Sequence, residues 1–249
     1  MHPLKTSLLA ALLVGTSLTA RAALTFSDAT LALANYNQIQ FKSDPSVGIA
    51  ITSLAAGGNP GAALDILFSN QGGAISMSSF QGFIATGFGY DPSAQGALTS
   101  LAYSNDRYVS VGSELAGLNT VTRSLLLQGG HYYLATIADP AAQPRDTWFT
   151  TSASGLASSN YIGFDFATGL SDASLHPDFS TAGSQIAFGF VNRLFFDTGG
   201  QAVNLHADFR FDNIAYDLQA AAVPEPQTWA LMILALPMLG ALRRRRTAA

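Results

Sequence analysis

The sequence predicts an all-β fold, an antiparallel β-sandwich, and three observations lead to that prediction. Segments rich in β-branched and aromatic residues recur between Gly, Ser, Asn, Asp and Pro across residues 36–218. They follow one another at intervals of roughly 10–20 residues, which suits two packed antiparallel sheets. No stretch of residues 23–222 has a convincing apolar stripe of helical period, and Ala29–Leu33 could start only a short helix.

The predicted strands end where turn-forming residues begin, because Gly, Pro, Asn and Asp favour turns over ladders. The Ser/Ala/Gly-rich stretch 151–160 is expected to be a long loop between two of these strands. In chain order the predicted strands are Tyr36–Lys42, Val47–Leu54, Leu64–Phe68, Phe83–Tyr90, Tyr108–Val111, Val121–Leu127, Tyr132–Ala138, Tyr161–Phe166, Ile186–Phe196 and Leu205–Leu218.

Two of these segments carry more detail. In Ile186–Phe196, Phe188 and Phe190 share one face with other apolar residues, which predicts a central strand. In the last segment the apolar positions change parity at Asp212-Asn213, so Phe211 and the following apolar residues can face one core only across a β-bulge.

Composition divides the chain into residues 1–22, 23–222 and 223–249. The middle part holds fifteen acidic and six basic side chains, a net charge of about −9 with His neutral, and it has no Cys. Phosphate contact needs clustered cations, so the composition argues against a nucleic-acid partner. About two hundred residues suit a single domain.

The first segment has the organisation of a secretory signal peptide. Lys5 precedes an apolar run from Leu8 to Leu18, and Ala20 and Ala22 form a small-x-small cleavage site. The run is shorter than the about 20 residues that a membrane span needs, so we predict cleavage by signal peptidase after Ala22.

The last segment combines three features in a fixed order. Pro224, Glu225 and Pro226 are followed by a short apolar stretch, Trp229–Leu242, and then by four arginines. The arginines favour a cytoplasmic C-terminus, which predicts a short transmembrane helix with residues 23–222 on the far side of the inner membrane. The arginines are Arg243, Arg244, Arg245 and Arg246.

This tail resembles the PEP-CTERM sorting signal of Gram-negative bacteria. The resemblance covers residues 223–249 and implies recognition and removal by an exosortase. It also implies an inner-membrane intermediate and a mature protein at the outer envelope surface or outside the cell, in bacteria that make exopolysaccharide and biofilm. It implies no activity for the exported domain.

Two shorter resemblances lie in the middle part. Gln40-Phe41-Lys42-Ser43-Asp44 is similar to the Gln-Phe-x-x-Asp motif of one PEP-CTERM subgroup of unknown function, although a strand end followed by a turn would give the same pattern. Phe211–Tyr216 resembles the closing strand of carbohydrate-binding jelly-roll modules, which implies a jelly-roll-like sandwich.

Motifs for common enzyme chemistry are absent from the sequence. It has no Gly-x-Ser-x-Gly, His-Glu-x-x-His, Gly-x-x-x-x-Gly-Lys or Gly-x-Gly-x-x-Gly. Glu114 is the only Glu in residues 23–222, which excludes a retaining glycosidase with two glutamates, but an Asp pair could act in its place. We therefore assign no catalytic residue.

Metal binding has two candidate locations. His206 and Asp208 would share one face of a strand and could bind a transition metal, but a solvent-facing strand edge explains them equally well. Calcium suits the acidic loops better, because it prefers oxygen ligands. Asp212, Asn213 and Asp28 would contribute to a structural calcium site if the chain start packs beside the last strand.

Aromatic residues offer a candidate ligand contact. Trp148 follows a loop that contains two prolines, and an aromatic ring with a polar atom suits stacking on sugars. The sequence thus favours a non-catalytic domain delivered to the envelope for surface or matrix architecture. A carbohydrate-binding module for exopolysaccharide is the first alternative, and an envelope hydrolase with an Asp pair is the second.

Overall fold

The computed structural model describes residues 24–111, 119–137 and 144–221, and strands account for most of them. A single turn of helix, α1 (Pro92–Gln95), and two 3-10 turns interrupt the strands. The strands are β1 (Leu24–Asp28), β2 (Tyr36–Lys42), β3 (Gly48–Gly58), β4 (Gly61–Gly73), β5 (Ser76–Tyr90), β6 (Leu98–Val111), β7 (Asn119–Gln128), β8 (His131–Ala135), β9 (Trp148–Leu156), β10 (Tyr161–Asp165), β11 (Leu170–Asp172), β12 (Ile186–Asp197) and β13 (Val203–Ala220).

All strand pairs are antiparallel, and they form two sheets. The six-stranded sheet has the order β3-β4-β13-β6-β9, with β1 also paired to β13. The seven-stranded sheet has the order β11-β10-β8-β7-β12-β5-β2. The inner faces of the two sheets pack on each other: the ring of Phe190 in β12 lies 5.7 Å from that of Phe211 in β13. The predicted all-β sandwich is confirmed, and its jelly-roll-like character stays a prediction.

Strand β12 lies inside its sheet, as predicted. It pairs with β5 on one side and with β7 on the other, and Phe188 and Phe190 are fully buried between the sheets. A side chain at Gly189 would collide with the backbone of β5, so glycine allows the two strands to approach closely.

Strand β13 contains the predicted bulge. Its pairing with β6 shifts between Asp212 and Ala215, and Asn213 adopts a φ of 51°. Phe211 before the shift and Ile214 after it are both buried, so the extra residue keeps the apolar side chains on the core face. Before the bulge β13 pairs with β4, and after it β13 pairs with β1 on the same side.

The loop predicted for residues 151–160 is wrong for its first half. Strand β9 runs to Leu156 and pairs with β6 along the edge of the six-stranded sheet. Its Ser, Ala and Thr side chains give a weak hydrophobic pattern, because an edge strand buries only part of one face. The pairing partner, which lies far away in the sequence, makes this segment a strand.

The outer face of the seven-stranded sheet is apolar and covered. Phe166, in the turn between β10 and β11, packs against Phe164 and Tyr132, with ring centroids 4.8 and 5.1 Å away. It sits over Gly82, where a Cβ atom would come within 2.8 Å of the Phe166 ring. We call this turn, residues 166–169, the apolar cover.

The predicted signal peptide, residues 1–22, and the predicted sorting segment, residues 223–249, lie outside the described residues. Sorting motif, arginine cluster and cleavage site therefore stay predictions. Among the described residues, no helix is long and apolar enough to cross a membrane.

Candidate functional site

A transverse row of side chains crosses the outer face of the six-stranded sheet. Strand register places one residue from each of five neighbouring strands directly side by side. Side chains of directly paired residues lie on the same face, so the five form one line. This line, here called the cross-strand row, consists of Thr52 (β3), Asp65 (β4), Arg210 (β13), Tyr108 (β6) and Trp148 (β9).

The aromatic end of the cross-strand row is a partly exposed surface. The rings of Tyr108 and Trp148 lie 5.8 Å apart and are tilted by 46°. The guanidinium of Arg210 lies 5.3 Å from the centre of the Tyr108 ring, a cation–π contact that restrains both side chains. Both rings are half-buried, so part of each remains available to a ligand.

The acidic end joins two carboxyl groups to the same arginine. Arg210 Nη2 donates a hydrogen bond of 2.7 Å to Asp208 Oδ2, and its Nε lies 3.8 Å from Asp65 Oδ1. The side chains of Asp65 and Asp208 are only 18% and 16% exposed. The three residues form a partly desolvated charged cluster beside the aromatic rings.

The surroundings of Asp65 change the pKa of its carboxyl group. Burial, a hydrogen bond to Asp208 and the negative charge of Asp208 raise the pKa of Asp65 to about 7, against the opposing charge of Arg210. When both groups are ionised, Oδ1 of each lacks a hydrogen-bond donor. Both of these oxygen atoms are buried, so a proton on one of the two carboxyl groups is favoured.

A second line of polar residues borders the row. Asp106 pairs with Asp212 and Thr150 across the same three strands, and Thr150 donates a 2.6 Å hydrogen bond to Asp106 Oδ1. Asn213 donates to Asp106 Oδ2 at 2.8 Å. Burial raises the pKa of Asp212, hydrogen bonds from the backbone of Asn59 and Asn213 lower it, and the nearby charge of Asp106 raises it further.

The tip of the β3–β4 hairpin folds onto this second line. The backbone N–H of Asn59 donates to Asp212, and its carbonyl accepts a 2.6 Å hydrogen bond from Asn213 Nδ2. A side chain at Gly58 would collide with both Ala62 and the Asp212 carboxylate, so only glycine permits this approach. The bulge thus fixes the hairpin tip beside Arg210.

The structure places Trp148 where a ligand contact is feasible, although its glycan contact stays a prediction. The sequence did not reveal its partners Tyr108, Arg210 and Asp65. Two signals could have found them: an Asp inside the apolar segment Leu64–Phe68, and alternating polar residues along the outward face of β13.

The proposed calcium ligands come together only in part. Strand β1 packs beside β13 as expected, with Asp28 opposite Ile214. The Asp28 carboxylate, however, accepts hydrogen bonds from Thr30, Leu31 and Tyr36. In the described ranges no group of three or more acidic or histidine side chains could hold a metal ion, and calcium stays a prediction that these contacts do not favour.

The histidine prediction does not lead to a site either. His206 is exposed, and Asp208 pairs with Arg210 instead. The solvent-facing interpretation of this strand edge therefore agrees better with the contacts.

The Gln-Phe-x-x-Asp segment forms a strand end and a turn. Phe41 packs on the outer face of the seven-stranded sheet, 6.4 Å from the Phe80 ring. Lys42 donates to the Val47 carbonyl at 2.8 Å, and Asp44 accepts from the Ser46 backbone at 2.9 Å. These contacts explain the pattern without a ligand.

A groove of about 660 Å³ lies on the opposite side of the sandwich, next to the apolar cover. Its walls include Tyr132, Phe164 and the exposed Leu170. The carboxylates of Asp165 and Asp172 at its rim accept hydrogen bonds from their own turns. It lacks the cation and the paired carboxyl groups of the cross-strand row.

No protein-family model and no curated protein sequence matches the chain. Among solved structures, the C-terminal family 22 carbohydrate-binding module of Clostridium thermocellum Xyn10B is 9% identical, with a TM-score of 0.36, over 80% of this chain and 96% of that one. The CBM22-1 xylan-binding domain of Paenibacillus barcinonensis Xyn10C is 11% identical, with a TM-score of 0.31, over 80% and 95%. At these identities and TM-scores no function is carried over from either protein.

Proposed function

We propose that this protein is a non-catalytic polysaccharide-binding domain that uses the cross-strand row as its binding face. The observation that carries the proposal is the juxtaposition of Trp148 and Tyr108 with a charged, partly desolvated cluster on one sheet face. A pyranose ring has an apolar C–H face that packs on an aromatic ring and hydroxyl groups that need polar partners. The row offers both kinds of contact in one line.

The length of the row suits a chain rather than a single sugar. Neighbouring strands lie about 4.8 Å apart, so five strands span about 19 Å. A polysaccharide lying across the strands would contact the aromatic rings at one end of the row and the carboxyl groups further along it. We propose exopolysaccharide as the natural partner.

We also propose that the domain is exported and sorted. The signal-like segment 1–22 supports processing by signal peptidase, and the Pro-Glu-Pro segment with its arginine cluster supports processing by an exosortase. On this proposal the binding face works at the outer surface or in the surrounding matrix.

A binding assay with the full-length chain tests the proposal. Soluble neutral polysaccharides, including xylan and β-glucan, are titrated against the parent and against Trp148→Ala. Saturable binding that Trp148→Ala weakens at least about thirtyfold is expected, because an aromatic side chain that anchors a ligand contributes about 2 kcal/mol or more. Phe195→Ala removes another exposed ring, at 42% exposure, and serves as the matched control.

One observation favours a second candidate, a hydrolase that uses the Asp pair. The raised pKa of Asp65 is of the kind found at general acids. Release of reducing ends by the parent but not by Asp65→Asn would favour the hydrolase.

A further inference from the structure

A band of polar side chains crosses the inner face of the seven-stranded sheet. Strand register pairs Gln81 of β5 with Asn192 of β12, and Asn192 with Thr122 of β7, so the three lie side by side on one face. Asn192 follows Phe190 by two residues, and the Phe190 ring packs on the other sheet, so this face points into the interior. Each of the three residues is at most 1% exposed, and their polar atoms need partners inside the protein.

Contacts between the two sheets show how β6 is aligned with β7 across the interior. Arg107 Nη2 of β6 donates a hydrogen bond of 3.2 Å to Thr120 Oγ1 of β7. Further along, Tyr216 Oη donates to Ser124 Oγ of β7 at 2.8 Å, and the Tyr216 ring lies 5.1 Å from the Tyr103 ring of β6. Strand β6 therefore runs over β7 with Arg107 near Thr120 and Tyr103 near Ser124.

Asn105 and Thr122 lie between these contacts and face each other. Each is the inward residue of its strand midway between the two contacts, and Asn105 is fully buried. Stacked sheets are about 10 Å apart, and rings such as those of Phe190 and Phe211 fill this distance at a neighbouring position. The shorter side chains of Asn105 and Thr122 leave room for a molecule of the size of water.

Four side-chain atoms in this region have no hydrogen-bond partner among the described residues. They are Gln81 Oε1, Asn105 Oδ1, Thr122 Oγ1 and Asn192 Nδ2. The opposite ends of two of the amides are engaged, because Gln81 Nε2 donates to Ser79 Oγ at 2.8 Å and Asn192 Oδ1 accepts from Thr120 Oγ1 at 3.0 Å. These bonds fix the orientation of both amides, so Gln81 offers an acceptor to the interior and Asn192 offers a donor.

We propose that an ordered water molecule binds between the two sheets and joins Gln81, Asn105, Thr122 and Asn192. A water molecule donates two hydrogen bonds and accepts two. The site matches this capacity, because Gln81 Oε1 and Asn105 Oδ1 accept while Asn192 Nδ2 and the Thr122 hydroxyl donate. Buried waters make about three such bonds to polar groups that otherwise lack partners. This site lies in the core and does not depend on polysaccharide binding by the cross-strand row.

A crystal structure of the full-length chain, at a resolution that shows ordered water, tests the proposal directly. We expect a water oxygen within hydrogen-bond distance of at least three of the four atoms. No water at this position, with the four atoms bonded to one another or left without partners, would overturn the proposal.

Thr122→Val tests the same site in solution, because valine has nearly the shape of threonine but no hydroxyl. The substitution removes one hydrogen bond from the water, and we expect the unfolding temperature to fall by about 2–4 °C. If the hydroxyl instead had no partner, its removal would leave the unfolding temperature unchanged or raise it, and that result would overturn the proposal.

Thr181→Val is the matched control, because Thr181 is exposed and its hydroxyl is hydrated from outside the protein. We expect its unfolding temperature to stay close to that of the parent. If Thr122→Val does not fold, the crystal structure of the parent decides between the outcomes. Polysaccharide affinity of folded Thr122→Val should equal that of the parent, since the water lies on the other side of the sheet from the row.

Discussion

The two outer faces of the sandwich differ in what lies over them. On the seven-stranded sheet, Phe80, Ile84 and Val191 form an apolar surface that the chain itself covers with Phe166. On the six-stranded sheet, charged residues and partly exposed rings form the surface, and within the described part of the chain the hairpin tip is what lies beside the row. An apolar sheet face needs a cover to avoid water, whereas a polar face with aromatic rings can stay available for binding.

This difference assigns separate roles to the faces. Changes under the apolar cover should alter stability and leave binding intact, and changes in the cross-strand row should do the reverse. Four substitutions test that separation.

Phe166→Ala removes the centre of the apolar cover and should have the largest effect. The side chain is 5% exposed, and loss of a buried Phe costs about 3–5 kcal/mol. Denaturant unfolding of the full-length chain measures the loss, and polysaccharide affinity of the folded fraction should match the parent. A midpoint close to that of the parent would show that the cover contributes little.

Gly82→Ala changes the contact between Phe166 and the sheet from the side of the sheet. The added Cβ would lie 2.8 Å from the Phe166 ring and 2.9 Å from Ile39, so one of them must move. Overpacking of this kind costs about 1–3 kcal/mol. Thermal unfolding is the measurement, and Gly87→Ala, where no atom lies within 4 Å of the new Cβ, is the control.

Trp148→Ala should lose the binding described above with only a small change in stability. Trp148 is half-buried at the start of an edge strand, and its ring contact with Tyr108 is worth about 0.5–1.5 kcal/mol. Unfolding curves and titrations on the same preparation compare the two effects. Equal loss of stability and affinity would contradict the separation of roles.

Asp65→Asn should change how stability depends on pH, the smallest of the four effects. The folded pKa of Asp65, about 7, is above the usual value of 3.8 for this side chain, so the folded state holds a proton that the unfolded state releases. The stability from this proton is present below about pH 4 and is lost as pH rises towards 7. Asn cannot ionise, so the unfolding midpoint of Asp65→Asn should vary less with pH over this range. Asp208 and Arg210 are still present in this variant.

The pH test also has an outcome that contradicts it. The unfolding midpoint could instead rise by the same amount between about pH 4 and pH 7 in the parent and in Asp65→Asn. That result would mean that Asp65 ionises normally beside Asp208. Asp178→Asn controls for the loss of an exposed carboxylate.

The sequence predicted features that depend on neighbours along the chain. Alternating apolar residues revealed the central position of β12 and the bulge at Asp212-Asn213. Trp148 is a predicted ligand contact because of its aromatic ring with a polar atom and its place after a loop. In each case the physical signal lies within one short segment.

Features that depend on register between distant strands were missed. Asp65 and Asp208 meet because β4 pairs with β13, and nothing near either residue specifies that pairing. Residues 151–156 of β9 resemble a loop in the sequence, because their small side chains obtain their order from β6. The cross-strand row is a property of five registers together, so a single sequence does not display it.

Strand β13 would transmit force if the exported protein were held at its C-terminal end. Arg210 and Asp208 belong to β13, and this strand continues without interruption to Ala220. A pull on a bound polymer would therefore travel along β13 towards the point of attachment. Hydrogen bonds to β6 on one side, and to β4 and then β1 on the other, lie across that direction, so many must shear together before the strand slides. On the proposed function, β13 would therefore both contribute Arg210 to the binding face and carry the pull.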